Sequence, residues 1–304
     1  MSPIAERALI EWPIVTGEVF VFGTAAFSLL ITPGNSTERG KLQFALIPLS
    51  RVLSLIILLL SPLGLLIAAS EMADLPLQKA LPVLGAVLTE THAGRMWAWR
   101  LGLAIALVVI VWLAAKWSFR QAAIFIVTGG LLFCESLSSH AIDKGAPVIA
   151  VYFIHEIAAA LWVGALLSLW FGFARGHLGD QWNQRAVQRV SQTAGYAVGL
   201  LILSGIFNAY EAIGLNAGRL LYTLYGRTLL TKLGLFVIVL GIGAYNRYRL
   251  VPAAASAGSR RVLLRNVSIE SVLLIGVLGL AALLGNTPPP HQGVGHSQHS
   301  MMAM

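Results

Sequence analysis

Charge is what this chain has least of. Asp, Glu, Lys and Arg make up 11% of its 304 residues, against 57% hydrophobic residues and a mean hydropathy of +0.77. A soluble globular chain carries about 25% charged residues. The two soluble domains that the length alone would allow are therefore excluded. Cysteine is nearly absent too: Cys134 stands alone, which rules out an intrachain disulfide and a paired-cysteine metal site. No Gly-x-x-x-x-Gly-Lys-Ser/Thr loop occurs, nor a polar stretch large enough for a nucleotide domain. Any transport must then run on a gradient, a membrane potential or a partner. The first seven residues, Met-Ser-Pro-Ile-Ala-Glu-Arg, lack the basic start of a cleaved signal peptide, and the first span is expected to stay in the mature protein.

What is present is a series of apolar runs. A bilayer crossing needs about 20 mostly apolar residues, and eight such runs occur, at 11–33, 42–70, 95–115, 119–140, 147–172, 190–213, 226–247 and 262–286. The fold class is thus an all-α polytopic membrane helix bundle of eight spans. Pro48 and Pro62 predict a kink or tilt in the second. Eight spans put both termini on one side. Twelve of the 21 Lys and Arg fall on the connections 34–41, 116–120, 173–189 and 247–265, and six on the opposite side. Positive residues mark the cytoplasmic face, so both termini are expected in the periplasm. Topology accounts for the net charge of +8, and nucleic acid is set aside as a partner in favour of the lipid bilayer.

The chain also repeats itself. Residues 94–103 (Gly-Arg-Met-Trp-Ala-Trp-Arg-Leu-Gly-Leu) and 226–235 (Gly-Arg-Thr-Leu-Leu-Thr-Lys-Leu-Gly-Leu) share five identities, and Arg100 matches Lys232 at a sixth position. The second and sixth spans each begin near Arg51 or Arg189 and end near Glu71 or Glu211. The first and fifth carry Glu18 and Glu156 near their outer ends. This pattern predicts two parallel four-helix halves, 1–140 and 141–290, followed by a tail at 291–304. Transporter sites often lie between such repeats.

Soft ligands gather on one side of that plan. His92, His140, His155, His291, His296 and His299 fall at the outer face, with Met72, Met96, Met301, Met302 and Met304; only His177 falls inside. Thioether favours Cu(I), and imidazole binds either oxidation state. The tail His-Gln-Gly-Val-Gly-His-Ser-Gln-His-Ser-Met-Met-Ala-Met can gather three His and three Met on one ion. His140 and His155 are joined by a short loop and are expected to meet near the outer surface. His155 lies about 12 Å into its span at 1.5 Å per residue, a depth at which a polar group needs a partner or a water-filled cavity. His92 and Met96, four apart, are second-rank ligands from the third span. Arg100 and Lys232 are expected to be neutralised by Glu135 and Glu211. Glu156 points about 100° from His155 and is expected to pair with another helix.

Several of these segments, in order, carry a resemblance. Ser-His-Ala at 139–141 precedes His-Glu-Ile-Ala-Ala-Ala-Leu-Trp-Val-Gly-Ala at 155–165. Ser-Gly-Ile-Phe-Asn-Ala (204–209), Tyr-Gly-Arg-Thr-Leu-Leu-Thr-Lys-Leu (225–233), Ala-Tyr-Asn-Arg-Tyr-Arg-Leu-Val-Pro (244–252) and Asn-Thr-Pro-Pro-Pro (286–290) follow. Over roughly 90–290 the chain resembles the CopD/PcoD family of bacterial inner-membrane copper-resistance proteins. The family pattern places a His before an Ala-rich Trp-x-Gly stretch, here His155, Trp162 and Gly164. Ser139 and Ala165 stand where that pattern has Gly. The resemblance implies copper, as Cu(I) or Cu(II), handled at the periplasmic face and passed through the inner membrane; family proteins are usually described as taking it inward, and the direction stays open. It also implies a periplasmic donor of the CopC type. A transporter rather than an enzyme is expected. Two other readings remain open: a non-transporting copper sensor or docking scaffold, and a membrane redox protein with paired histidines on b-type haem.

Overall fold

The computed structural model describes residues 3–31, 36–114, 119–174, 180–253 and 256–290. Eight of its helices are long and apolar enough to cross a membrane, and no strand occurs among the described residues. They are α1 (Pro3–Ala26, continued by a π-helical turn to Ile31), α2 (Ser36–Met72), α4 (His92–Leu113), α5 (Arg120–Ser138), α6 (Ala146–Ala174), α7 (Asp180–Ile213), α9 (Leu224–Tyr245) and α10 (Ala257–Asn286). Two short helices, α3 (Leu84–Glu90) and α8 (Ala217–Tyr222), precede α4 and α9. Side chains such as Leu113, Ile126 and Val237 lie exposed on the outside. An apolar exterior is costly in water and suits contact with lipid tails.

The first span opens earlier than the hydropathy alone predicts, at Ile4. Arg7 and Glu11 in its early turns are paired: Arg7 donates to Glu11 at 3.0 Å and to Glu71 of α2 at 2.7 Å. α1 is also the axis of the bundle. Within its apolar window 72% of residues are buried, against 17% for α9, and it packs on α2, α5, α6 and α10. The Trp12 indole donates to the Ile275 carbonyl of α10 at 2.9 Å. On the α6 side, Gly23 and Gly164 meet backbone to backbone, and a Cβ on either would overlap the other's main chain. Close helix approach through small residues is a common way to pack helices in lipid, where burial of apolar surface supplies no drive.

The halves pack differently. α1, α2, α4 and α5 form a closed ring in which each helix touches the next and α5 returns to α1. In the second half α6 packs on α7 and α10, and α10 on α9, but among the described residues α7 has no comparable seam with α9 or α10. Locally the halves repeat in detail. Thr91 caps α4 by accepting from the Gly94 N–H at 2.9 Å, and Thr223 caps α9 by accepting from the Gly226 N–H at 3.0 Å. At both glycines the preceding short helix presses too close for a side chain. Arg95 and Arg227 each reach the carbonyl six residues back, Thr89 and Leu221.

Candidate functional site

α6 faces two neighbours with two adjacent polar residues. His155 turns to α7, where its Nδ1 lies 2.8 Å from Ser204 Oγ. The Ser204 hydroxyl has one proton, and it is donated to the Leu200 carbonyl at 2.6 Å. Ser204 Oγ therefore accepts from the His155 Nδ1–H, which leaves the lone pair of the neutral ring on Nε2. The Leu201 carbonyl, 3.4 Å from the same hydroxyl, also faces the ring. A metal-binding histidine is commonly held in this way, one nitrogen tied by a hydrogen bond and the other left for the ion. Glu156 turns instead to α5, accepting from Ser136 Oγ at 2.6 Å. The two residues thus diverge, as their helical offset requires.

His140 lies just past the end of α5. Its Nε2 is buried with no hydrogen-bond partner among the described residues, and the Thr287 backbone at the end of α10 lies within electrostatic reach of the ring. Burial pushes the imidazole below the ordinary histidine range, with Asp143 opposing and Arg7 reinforcing that shift. Neutral imidazole is the form that binds metal. Thr287 is four residues ahead of His291, so His140 sits at the root of the tail. His92 is the first residue of α4 and faces the Leu137 carbonyl at 3.2 Å. Helix α4 starts early enough to put Met96 on the same face one turn on.

His140 and His155 thus take separate partners, on α10 and α7. Among the described residues no group of three His, Cys, Asp or Glu is placed to hold a metal ion. His177, His291, His296, His299, Met301, Met302 and Met304 lie outside the described residues. Cys134 is buried and free.

Beside these imidazoles runs a layer of buried charge. Arg100 pairs with Glu18 at 3.0 Å and with Glu135, and its guanidinium lies 4.8 Å from the Trp97 ring centroid. Glu18 is wholly buried, and its Oε2 has no hydrogen-bond partner among the described residues. Above it Asn286 donates to Glu11 at 2.6 Å. Glu135 neutralises Arg100 as expected, but Glu211 does not serve Lys232. It pairs with Lys144 at 3.1 Å, because the α5–α6 loop brings that lysine to the end of α7. Lys232 has Glu156 within electrostatic reach instead. Ser204 and Ser136, which position His155 and Glu156, carried no metal signal of their own in the sequence. Their clue was one of motif order: Ser204 opens the Ser-Gly-Ile-Phe-Asn-Ala segment.

Comparison with known proteins gives a consistent result. Residues 9–147 match the model of the copper resistance protein D-like N-terminal domain, and residues 184–284 match that of copper resistance protein D. His155, Trp162 and Gly164 lie between the two matched ranges. The chain is 24% identical to copper resistance protein D of Pseudomonas syringae pv. tomato, over 92% of its own length and 96% of the relative's. It is 30% identical to the copper transport protein CutJ of Bacillus subtilis over 67% of its length, spanning 38% of that protein. It is 26% identical to the inner membrane protein YebZ of Escherichia coli over 56% of its length, spanning 59% of that protein. No solved structure gives a significant match.

Proposed function

Because the chain belongs to the copper resistance protein D family, we propose that it is a multi-pass inner-membrane protein that takes up copper at the periplasmic face and passes it inward. The observation that carries this reading is the His155–Ser204 pair. It presents a neutral imidazole Nε2 within a membrane span, held by a hydroxyl whose own proton is committed elsewhere. An intramembrane polar side chain is expensive and marks a site by default. Copper is the cargo. His155 supplies one ligand to it, with His140, His92 and Met96 supplying others nearer the surface. The His and Met of 291–304 raise the local copper concentration at the root of the tail, where a periplasmic donor of the CopC type would deliver it. Both termini then face the periplasm, in keeping with the arginine-rich connections on the other side. No catalytic group is assigned.

The test is copper uptake into proteoliposomes with a metal-sensitive dye inside. The wild type is expected to carry copper, and His155→Ala to lose uptake while the protein still inserts and stays folded. Deleting 291–304 should weaken capture at low copper and leave flux at saturating copper intact. Normal uptake by both His155→Ala and His140→Ala would sink the site assignment. Binding without flux in the wild type would favour the sensor or scaffold reading.

A further inference from the structure

Where α7 has no comparable seam with α9 and α10 among the described residues, a cavity of about 500 Å³ opens between them. It opens in the half of the bundle that holds the arginine-rich connections. Its near edge is set by Trp162 and Val198, and its far wall by Asn246, Arg247 and Glu270. Trp162 is seven residues after His155, two turns on along the same face of α6, or about 10 Å by helical rise. Val198 and Leu201 stand in the same way below Ser204 on α7. Between His155 and the cavity lies a short apolar plug. Leu201 is buried there, and Trp162 packs edge-on against Phe236 at 5.7 Å.

The wall of this cavity is not ordinary helix. α9 loosens into a π-helical turn over Asn246–Leu250, with the Val251 N–H reaching the Asn246 carbonyl five residues back at 2.8 Å. Such turns recur at functional sites, and irregular backbone at membrane depth is tolerated where it lines a cavity. The turn presents Asn246 to Glu270. Asn246 Nδ2 donates to Glu270 Oε1 at 2.9 Å, and Asn266 Nδ2 donates to Asn246 Oδ1 at 2.8 Å. Two amide dipoles in series therefore point at a carboxyl that is 1% exposed, and among the described residues no cation pairs with it. Arg247 lines the same cavity but gives its guanidinium to the Ser191 carbonyl. None of the described lining residues is His, Met or Cys.

We infer that this cavity is the vestibule by which the cation leaves toward the arginine-rich end, with the Glu270 carboxylate as its weak, oxygen-only resting point. The inference rests on the transport reading above and adds the inner half of the path. The His and Met ligands proposed above lie on the outer side of the Trp162–Leu201 plug, and the described lining of the cavity on its inner side offers oxygen ligands such as Glu270 and Asn246. Copper(I) binds the first set well and the second poorly. Conduction needs a site that attracts the ion yet lets it go, and a lone carboxylate braced by amides meets that need.

The test uses full-length protein in proteoliposomes loaded with a copper(I)-sensitive dye. In a Cys134→Ser background, Ala194→Cys should react with a membrane-impermeant maleimide from the arginine-rich side only. Glu270→Gln keeps an acceptor for Asn246, so it should fold. It should lower copper flux at least tenfold at saturating copper without changing copper binding at the outer face, and Glu270→Asp should restore part of the flux. Val198→Trp, which fills the cavity, should also cut flux. Labelling of Ala194→Cys only by a lipid-soluble maleimide would make the cavity a lipid groove and overturn the inference. Normal flux in Glu270→Gln would overturn it as well while leaving the transport reading intact. No flux in the wild type would overturn the transport reading and the exit role together.

Discussion

Helices α4 and α9 begin as copies and end as different devices. Each is capped by a threonine, each has a glycine against the short helix before it, and each sends an arginine to the carbonyl six residues back. Two turns further on comes the divergence. Arg100 is clamped by Glu18 and Glu135, whereas Lys232 makes no ion pair among the described residues and has only Glu156 within reach. A planar guanidinium suits bidentate and multiple partners, while an ammonium is a compact point charge on a flexible stem. The packing follows the same division. The ring around Arg100 is closed, and the half that contains Lys232 is open along α7. In this molecule one copy of the repeat is a closed ring around a buried ion pair, and the other holds the tethered imidazole and the cavity.

The largest effect expected from this contrast is on stability. Arg100→Met leaves the buried Glu18 and the half-buried Glu135 without a counter-charge, and breaking a buried pair costs about 3–5 kcal/mol. Lys232→Met removes no direct pair and should change the unfolding midpoint in detergent far less. Equal losses in the two variants would erase the distinction between the closed and the open half. Next comes Ser204→Ala. It frees His155 from its fixed tautomer, and loss of such a supporting partner typically lowers metal affinity about 10- to 100-fold. Copper titration of the purified protein would read this, with Ser204→Thr as the rescue; an unchanged affinity would show that the hydroxyl only packs.

A smaller effect concerns acid. The unfolded His140 ring takes up its proton near pH 6.5, while burial holds the folded ring below that range. Between those two values the unfolded state binds more protons, so stability falls as pH drops through the interval. Unfolding followed from pH 7.5 to 5 should show this slope, and His140→Ala should flatten it. The smallest effects sharpen the repeat itself. Thr91→Ala and Thr223→Ala each remove one helix cap, worth about 1 kcal/mol. Losses of similar size in thermal unfolding are expected, and a marked inequality would mean that the two starts only look alike.

The spans were legible because length and hydropathy are properties of a segment alone. The recurrence of Gly-Arg and a cation at 94–100 and 226–232 was legible for the same reason. The pairings were not. Whether Glu211 meets Lys232 or Lys144 depends on how α7 is rotated and on where the α5–α6 loop falls, and neither leaves a local trace in the chain. His155 could be flagged by its depth, but its partner Ser204 is 49 residues away and is an ordinary residue type. The cavity was invisible altogether. It arises from a contact that is missing between helices, and hydrophobic patterning reports only contacts that are made.

The glycine crossing of α1 and α6 has a mechanical consequence. At Gly23 and Gly164 the two main chains touch without interlocking side chains, so they bear on each other like a fulcrum. His155 stands nine residues up one arm of α6, about 13 Å from that bearing at 1.5 Å per residue. Trp162 stands almost at the bearing itself. A tilt of about 5° about this point would swing His155 by roughly 1 Å, the scale on which a ligand engages or releases an ion, and would hardly move Trp162. The lever is short on the plug side and long on the ligand side, so motion of α6 would open and close the outer shell first.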